Sequence, residues 1–220
     1  MCKTMFSVVL LLSLASASYG LVISDFEAGL DGWGSNDGWR VGNLSLSATG
    51  ATSGAQAMLV EGPGGWQQMA KLDLKPFGAA LANTGVSIAA DVTAFPEDMT
   101  TEWMQVEMII NAEGAVGWSG LGGQDVTLDG QAQTLEWSLS DDLVAKIAAG
   151  VESLGWFELV MVSNLDAAST AKFYVDNIRI NGVPVRPKVI YVTSVKDMDQ
   201  NGVQDDLSWK DWLEAEGYDV

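Results

Sequence analysis

The stretch Phe173-Tyr174-Val175-Asp176-Asn177-Ile178-Arg179-Ile180 decides the fold. Five of its residues (Phe173, Tyr174, Val175, Ile178, Ile180) are strand formers, and Asp176 stands among them. A carboxylate set inside such a strand needs a partner or water. The run Ile23-Ser24-Asp25-Phe26-Glu27, far upstream, reads as the opening strand and offers acidic residues of its own. If the two strands meet, the domain is closed by its first and last strands, and the carboxylates can share a cation.

Between these ends the punctuation is that of a β-protein. Gly-rich breaks separate short runs rich in Val, Ile, Thr and aromatics. The expected strands are Leu21 to Glu27, Trp39 to Leu46, Ala57 to Glu61 and, after the break Gly62-Pro63-Gly64-Gly65, Trp66 to Leu74. Val86 to Thr93 alternates, with Val86, Ile88, Ala90 and Val92 on one face. Glu102 to Asn111 alternates as well. Met104, Val106, Met108 and Ile110 form a core side; Trp103, Gln105, Glu107, Ile109 and Asn111 form the other. Ala115 to Trp118, Asp125 to Leu128, Gln133 to Leu139, Gly155 to Ser163 and Lys172 to Ile180 continue the series. Ser140 or Asp141 caps a short helix from Leu143 to Ala149, ended by Gly150. This pattern predicts an all-β fold: a two-sheet antiparallel β-sandwich of jelly-roll type over residues 21–182.

The flanks read differently. Residues 1–20 carry Lys3, an apolar run from Phe6 to Leu14 and Ala15-Ser16-Ala17, the order of a secretory signal peptide, cut after Ala17 or Gly20. The chain is therefore expected to be secreted or in the cell envelope. Cys2 is the single cysteine, so the exported part is expected to have no disulfide, and its stability is expected from its core and from bound metal. About 160 residues can bury roughly 70% of their unfolded surface, which is enough for a core without staples. Val183 to Lys188, with two prolines, is a stiff linker. Residues 189–220 read as strand, helix and strand onset, a short strand–helix extension that begins a truncated α/β unit. The implied C-terminal domain is missing from the sequence.

Composition excludes several functions. The formal net charge is −18, with 29 acidic and 11 basic residues. Nucleic acid and anionic membrane surfaces are poor partners for such a chain, because counterion release needs Lys and Arg. The apolar run of the leader is too short to be read as a spanning helix, and no membrane insertion is expected. There is no histidine. Ser-His-Asp and Cys-His nucleophiles, imidazole acid–base chemistry and His-bound zinc are excluded. Paired carboxylates survive, but Glu102 and Glu107 fall on opposite faces of a strand, so they are not the facing pair a glycosidase needs.

Two sets of residues remain candidates. On the polar side of the Glu102–Asn111 strand, Trp103, Gln105, Glu107 and Asn111 combine a flat ring with amide and carboxylate groups, and Asp91 is expected beside them on a neighbouring strand. Such a set suits a glycan: the ring packs on a sugar's C–H face and the polar groups fix its hydroxyls. Trp66 and Trp118, between Gly-rich loops, are reserves. Separately, Asp197, Asp199, Asn201 and Asp205 match the ligand positions of an EF-hand-like calcium loop, with Gly202 at the sharp turn. Ser208 stands where an acidic twelfth position belongs, so the loop reads equally as a solvated acidic connection.

Three motifs in order, Ile23 to Glu27 with Gly29 to Trp33, Thr49 to Ala57, and Phe173 to Ile180, resemble the calcium-containing jelly-roll carbohydrate-binding modules, the galactose-binding-like sandwiches of many secreted polysaccharide-degrading enzymes. The resemblance implies a non-catalytic module and a ligand groove on a concave face. It also implies a structural calcium held by Glu27 and Asp176, with Asp25 nearby and carbonyls of the Thr52–Gly54 loop. A polysaccharide is the implied partner. The alternatives are an interaction module of the same fold without a sugar site, and a carboxylate-based glycan hydrolase or lyase.

Overall fold

A computed structural model describes residues 20–35, 39–150 and 154–183, which fall within one compact unit. The expected leader up to residue 19, the linker from residue 184 onward and the strand–helix extension with Asp197, Asp199, Asn201 and Asp205 lie outside the described residues.

Eight strands are described: β1 (Leu21–Ser24), β2 (Asn43–Ser47), β3 (Ala57–Asp73), β4 (Ser87–Thr93), β5 (Gln105–Ala112), β6 (Gly117–Asp125), β7 (Gln133–Ser138) and β8 (Phe157–Asn181). Two α-helices accompany them among the described residues, α1 (Gly78–Leu81) and α2 (Asp141–Ala148). Every strand pairing is antiparallel. The opening and closing strands meet as the sequence suggests, Leu21 opposite Ile180 and Ser24 opposite Ile178.

β3 and β8 are long because each serves both layers. One layer runs β2–β3–β8–β4–β7, using the first part of β3 and the last part of β8, with β1 against residues 178–180. The other runs β6–β5–β8–β3, using residues 157–164 of β8 and 65–73 of β3. The chain passes between layers where residues 166–169 of β8 stand opposite Gly64 alone. A Cβ on Gly64 would lie 2.1 Å from the Asp166 carbonyl oxygen and 2.6 Å from that of Ser169, so no side chain fits there. The run Gly62 to Gly65, expected to break two strands, is therefore the bend of one. The segments expected at 115–118 and 125–128 touch only the two ends of one strand, β6, which runs between them, and Gly155 to Ser163 and Lys172 to Ile180 fall at the two ends of β8.

Alternation fills the interior. Val106, Met108 and Ile110 of β5 face Phe157, Leu159 and Met161 of β8 in the main core, so the Met-rich side is the buried one. Trp33 and Trp137 are core residues whose ring N–H groups are satisfied, donating to Ser24 Oγ and the Gly122 carbonyl at 2.9 Å each. Ser140 caps α2, its Oγ accepting the Leu143 N–H at 3.3 Å, and Leu143, Val144 and Ile147 turn inward.

Near its end β8 changes phase. Phe173 and Val175 point into the core, and so do Ile178 and Ile180, with two residues between them instead of one. Asn177 has φ 49°, and the pairing with β4 skips from Ala89–Arg179 to Asp91–Asp176. This is a β-bulge, and it re-aims the side chain of Asp176.

Candidate functional site

The closing end of the sandwich holds the expected metal residues. β1 stops at Ser24, and Asp25 to Glu27 form a turn rather than strand. Asp31 Oδ2 accepts the N–H groups of Asp25 (3.1 Å) and Phe26 (2.8 Å). That clamp holds Phe26 at φ 60°, unfavourable for an aromatic residue, with its ring fully buried. The turn sends Glu27 across to the 52–56 loop, where Oε1 accepts the N–H groups of Ala55 and Gln56 at 2.8 Å each. Gly54, at φ 72°, leaves the room; a Cβ there would sit 2.4 Å from the Glu27 carboxyl carbon. Asp25 Oδ1 accepts the Glu27 N–H at 3.2 Å.

Asp176 is fully buried and reaches the other side of the same loop. Its Oδ2 accepts the N–H groups of Thr52 (2.6 Å) and Ser53 (2.8 Å), and Oδ1 that of Asn177 (2.7 Å). Thr52 Oγ1 lies 3.0 Å from Asp176 and 2.9 Å from Asp91, and its single proton serves one of them at a time. Asp91 also accepts from Thr134 (2.7 Å), Asn177 (3.0 Å) and Arg179 (3.3 Å). Burial alone would raise the Asp91 pKa; the hydrogen bonds from Thr134, Asn177 and Thr52 and the Arg179 charge outweigh it and hold the carboxyl below its usual range. Asp91 thus lies with Asp176 at the closing end. The expectation that it stands beside the Glu102–Asn111 strand fails, because β5 has β6 and β8 as neighbours and β4 pairs with β7 and β8.

The donor set can be compared with what calcium asks for. Two carboxylates on one loop of backbone are hard oxygen ligands of the right kind. Both already accept backbone N–H groups, and among the described residues no three acidic side chains converge on one point. A cation there would need the 52–56 loop to turn its carbonyls inward in place of its N–H groups.

The second region is the outward face of the β6–β5–β8–β3 layer. Cross-strand partners share a face, so its rows can be read from the register. Asp125, Gln105, Asn164 and Trp66 form one row; Gly123, Glu107, Val162 and Gln68 the next. Gly120, Ile109, Val160 and Lys71 follow, then Trp118, Asn111, Glu158 and Asp73. Ile109, Val160 and Val162 make a small apolar cluster in the middle, separate from the main core. Around it the polar groups are linked. Gln105 donates to Asp125 (2.7 Å) and accepts from Asn164 (3.2 Å). Glu158 accepts from Arg40 (2.8 Å), Lys71 (3.1 Å) and Asn111 (3.3 Å).

Over this face stand three tryptophans. Trp66 and Trp118 start from opposite edges, yet their ring centroids are 6.5 Å apart, and Trp39 lies 5.7 Å from Trp118. The twist of a sheet raises its opposite corners, and here it carries the two edges toward one another. Each ring remains nearly half exposed, at 43–47%. The Arg40 guanidinium packs 4.2 Å from the centre of the Trp39 ring while its other side holds Glu158, so the ring is seated on the face. Glycine in β6 keeps the floor open: a Cβ on Gly120 would lie 2.5 Å from Glu107 Oε1.

Of the residues expected to bind ligand, the structure brings Gln105, Glu107 and Asn111 onto one face. Trp103 precedes β5 and lies one step beyond Gln105, half exposed, its ring N–H donating to Asp166 at 3.3 Å. Trp39 was missed by sequence reasoning. It is remote in sequence from the strands whose face it covers, and the expected strand Trp39 to Leu46 hid it: β2 begins only at Asn43, which leaves Trp39 in the connection before it.

No family model matches this chain, and no curated protein matches it either. Solved structures do. The chain is similar to the CBM22-1 xylan-binding domain of Paenibacillus barcinonensis Xyn10C, at 18% identity over 77% of this chain and 99% of that domain, with a TM-score of 0.52. It is also similar to the C-terminal family 22 carbohydrate binding module of Clostridium thermocellum Xyn10B, at 15% identity over 78% and 99%, TM-score 0.53. A non-crystalline cellulose specific module, CBM28, matches at 14% identity over 74% and 96%, TM-score 0.54. At such identities the likeness is one of fold. The chain has the antiparallel β-sandwich of the carbohydrate-binding modules.

Proposed function

We propose that this chain is a non-catalytic, glycan-binding β-sandwich module of a secreted protein, with its ligand on the outward face of the β6–β5–β8–β3 layer. One observation carries the reading. Three half-exposed tryptophans gather over a strand face whose floor offers amides and carboxylates, Gln105, Glu107, Asn111 and Asn164. Aromatic rings that stay nearly half exposed and stand over hydrogen-bonding groups suit the two sides of a sugar, apolar C–H faces and equatorial hydroxyls. Trp103 extends the same face at its far end. The carboxylate nearest the rings in the register, Glu158, is engaged by Arg40, Lys71 and Asn111, a use that favours positioning over hydrolysis. Among the described residues no helix is long and apolar enough to cross a membrane.

Affinity electrophoresis against a panel of soluble polysaccharides tests the reading. Retardation by at least one is expected, and its loss in Trp66→Ala and Trp118→Ala. A chain retarded by none would be an interaction module of the same fold, and turnover of a retained glycan would make it an enzyme.

The proposal includes calcium at Glu27 and Asp176, the two carboxylates that converge on the 52–56 loop, with Asp25 in the adjoining turn. A ligand bound only by the folded state stabilises it. Melting is therefore expected at a higher temperature in calcium than in EDTA, and equal melting temperatures would leave the backbone N–H groups as the sole partners of these carboxylates. The proposal also includes attachment to a further C-terminal domain and a second calcium in the loop from Asp197 to Asp205, tested by calcium titration of the peptide 189–220.

A further inference from the structure

We infer that the Trp39 ring is an autoinhibitory cover: it occupies the surface of Trp118 on which a sugar would stack, and it swings aside when a glycan binds. This rests on the glycan reading of the outward face. Ile109, Val160 and Val162 point outward from β5 and β8, yet all three are buried, so the centre of the face is already covered. Trp39 belongs to that cover. Its ring centroid lies 5.7 Å from that of Trp118, with the two planes 37° apart. The Arg40 guanidinium packs 4.2 Å from the centre of the same ring, and Arg40 is only 2% exposed. A flat ring set against an indole and over a guanidinium takes the stacking surface of the one and shuts the other off from solvent.

Trp39 is held differently from its neighbours. Trp66 and Trp118 sit within β3 and β6, each fixed by strand pairing at its own position, Trp66 opposite Asn164 and Trp118 opposite Asn111. Trp39 lies in the connection before β2, which meets β3 through the isolated bridge Arg40–Gln68, the Val41 N–H donating to the Gln68 carbonyl at 2.9 Å. Arg40 is tied separately, to Glu158 at 2.8 Å. The Trp39 ring can therefore turn away while the pairing that seats Trp66 and Trp118 stays whole, and the Arg40–Glu158 pair stays with it. What the movement gives up is the contact with Trp118 and with Arg40, and a sugar stacked on Trp118 replaces the first of these. A site that is covered most of the time binds with an affinity reduced by the fraction open.

The test compares the native chain with Trp39→Ala in affinity electrophoresis against the panel of soluble polysaccharides, unsubstituted xylan and hydroxyethyl cellulose among them. Trp39→Ala is expected to bind the retained polysaccharide about tenfold more tightly, because the cover no longer competes. An affinity within about twofold of native, or weaker, overturns the inference: the ring then belongs to the binding platform, and the glycan reading stands. Circular dichroism of the native chain supplies a readout that needs no variant, since indoles as close as Trp39 and Trp118 couple their transitions. The couplet is expected to weaken as the retained polysaccharide saturates the chain. A couplet unchanged at saturation overturns the inference even if Trp39→Ala folds poorly. Retardation of neither form by any polysaccharide of the panel overturns the glycan reading together with it.

Discussion

In its last third β8 buries Asp176 and surrounds its carboxylate with the N–H groups of Thr52, Ser53 and Asn177. In its first third the same strand turns Glu158, Val160, Val162 and Asn164 onto the outward face, where the two valines are buried and the Gln68 Oε1 beside them has no hydrogen-bond partner among the described residues. Polar groups at the closing end are satisfied from within, as groups that hold a fold must be. Those on the outward face are only partly satisfied, as groups that await a ligand can be. The difference teaches that an acidic residue in a strand is informative only once its donors are known.

Replacing Asp176 should give the largest effect on folding. Asp176→Ala leaves the Thr52 and Ser53 N–H groups facing an empty space, and a loss of about 4 kcal/mol in denaturant unfolding is expected. A loss under about 1 kcal/mol would erase the distinction between the two regions. On the open face the pattern should reverse. Trp118→Ala is expected to cost at least about 2 kcal/mol of glycan binding, read as a thirtyfold or greater weakening, with stability changed by less than about 1 kcal/mol. A large stability loss would mean the ring belongs to the core.

Asp91 sharpens the comparison through pH. Its folded pKa is depressed, so its contribution is present above the ordinary Asp range and lost as pH falls through the folded value. Asp91→Asn should therefore cost about 2 kcal/mol near neutrality and progressively less as the pH is lowered below the ordinary Asp pKa. A gap between native and variant that does not narrow in acid would remove the charge from the explanation. The smallest effect is expected at Trp103. Trp103→Ala should weaken binding only a few-fold, since the ring stands beyond the end of the three-tryptophan cluster. A loss equal to that of Trp118→Ala would extend the site along the whole of β5.

Much of this was legible in the chain. Alternation in Val86–Thr93 and Glu102–Asn111 marks half-buried strands because side chains of a strand must take opposite faces. It placed Met108 and Ile110 inside and Gln105, Glu107 and Asn111 outside. Pairing of the first and last strands was likewise readable from Asp176 and the run before Glu27. What escaped was long-range. Gly62 to Gly65 looks the same in sequence whether it ends a strand or bends one, and only the close approach of Asp166 and Ser169 tells the two apart. Asp91 has the composition of a ligand-face residue; strand order, which local pattern does not encode, carried it to the other end.

The sequence by itself determined that the chain folds as an all-β sandwich, which side of each regular strand is buried, and that no histidine and no cysteine beyond Cys2 is there to hold it together. Those are consequences of periodicity and composition, and both are local. The tertiary structure alone decided that β8 crosses between layers, that a bulge at Asn177 turns Asp176 into the 52–56 loop, and that Trp39, Trp66 and Trp118 come together. Each of these depends on strand register and sheet twist, which bring residues from distant positions to one place. The open face and the closing end were both written as acidic, strand-forming sequence; the donors that the fold carries to one and withholds from the other made them different.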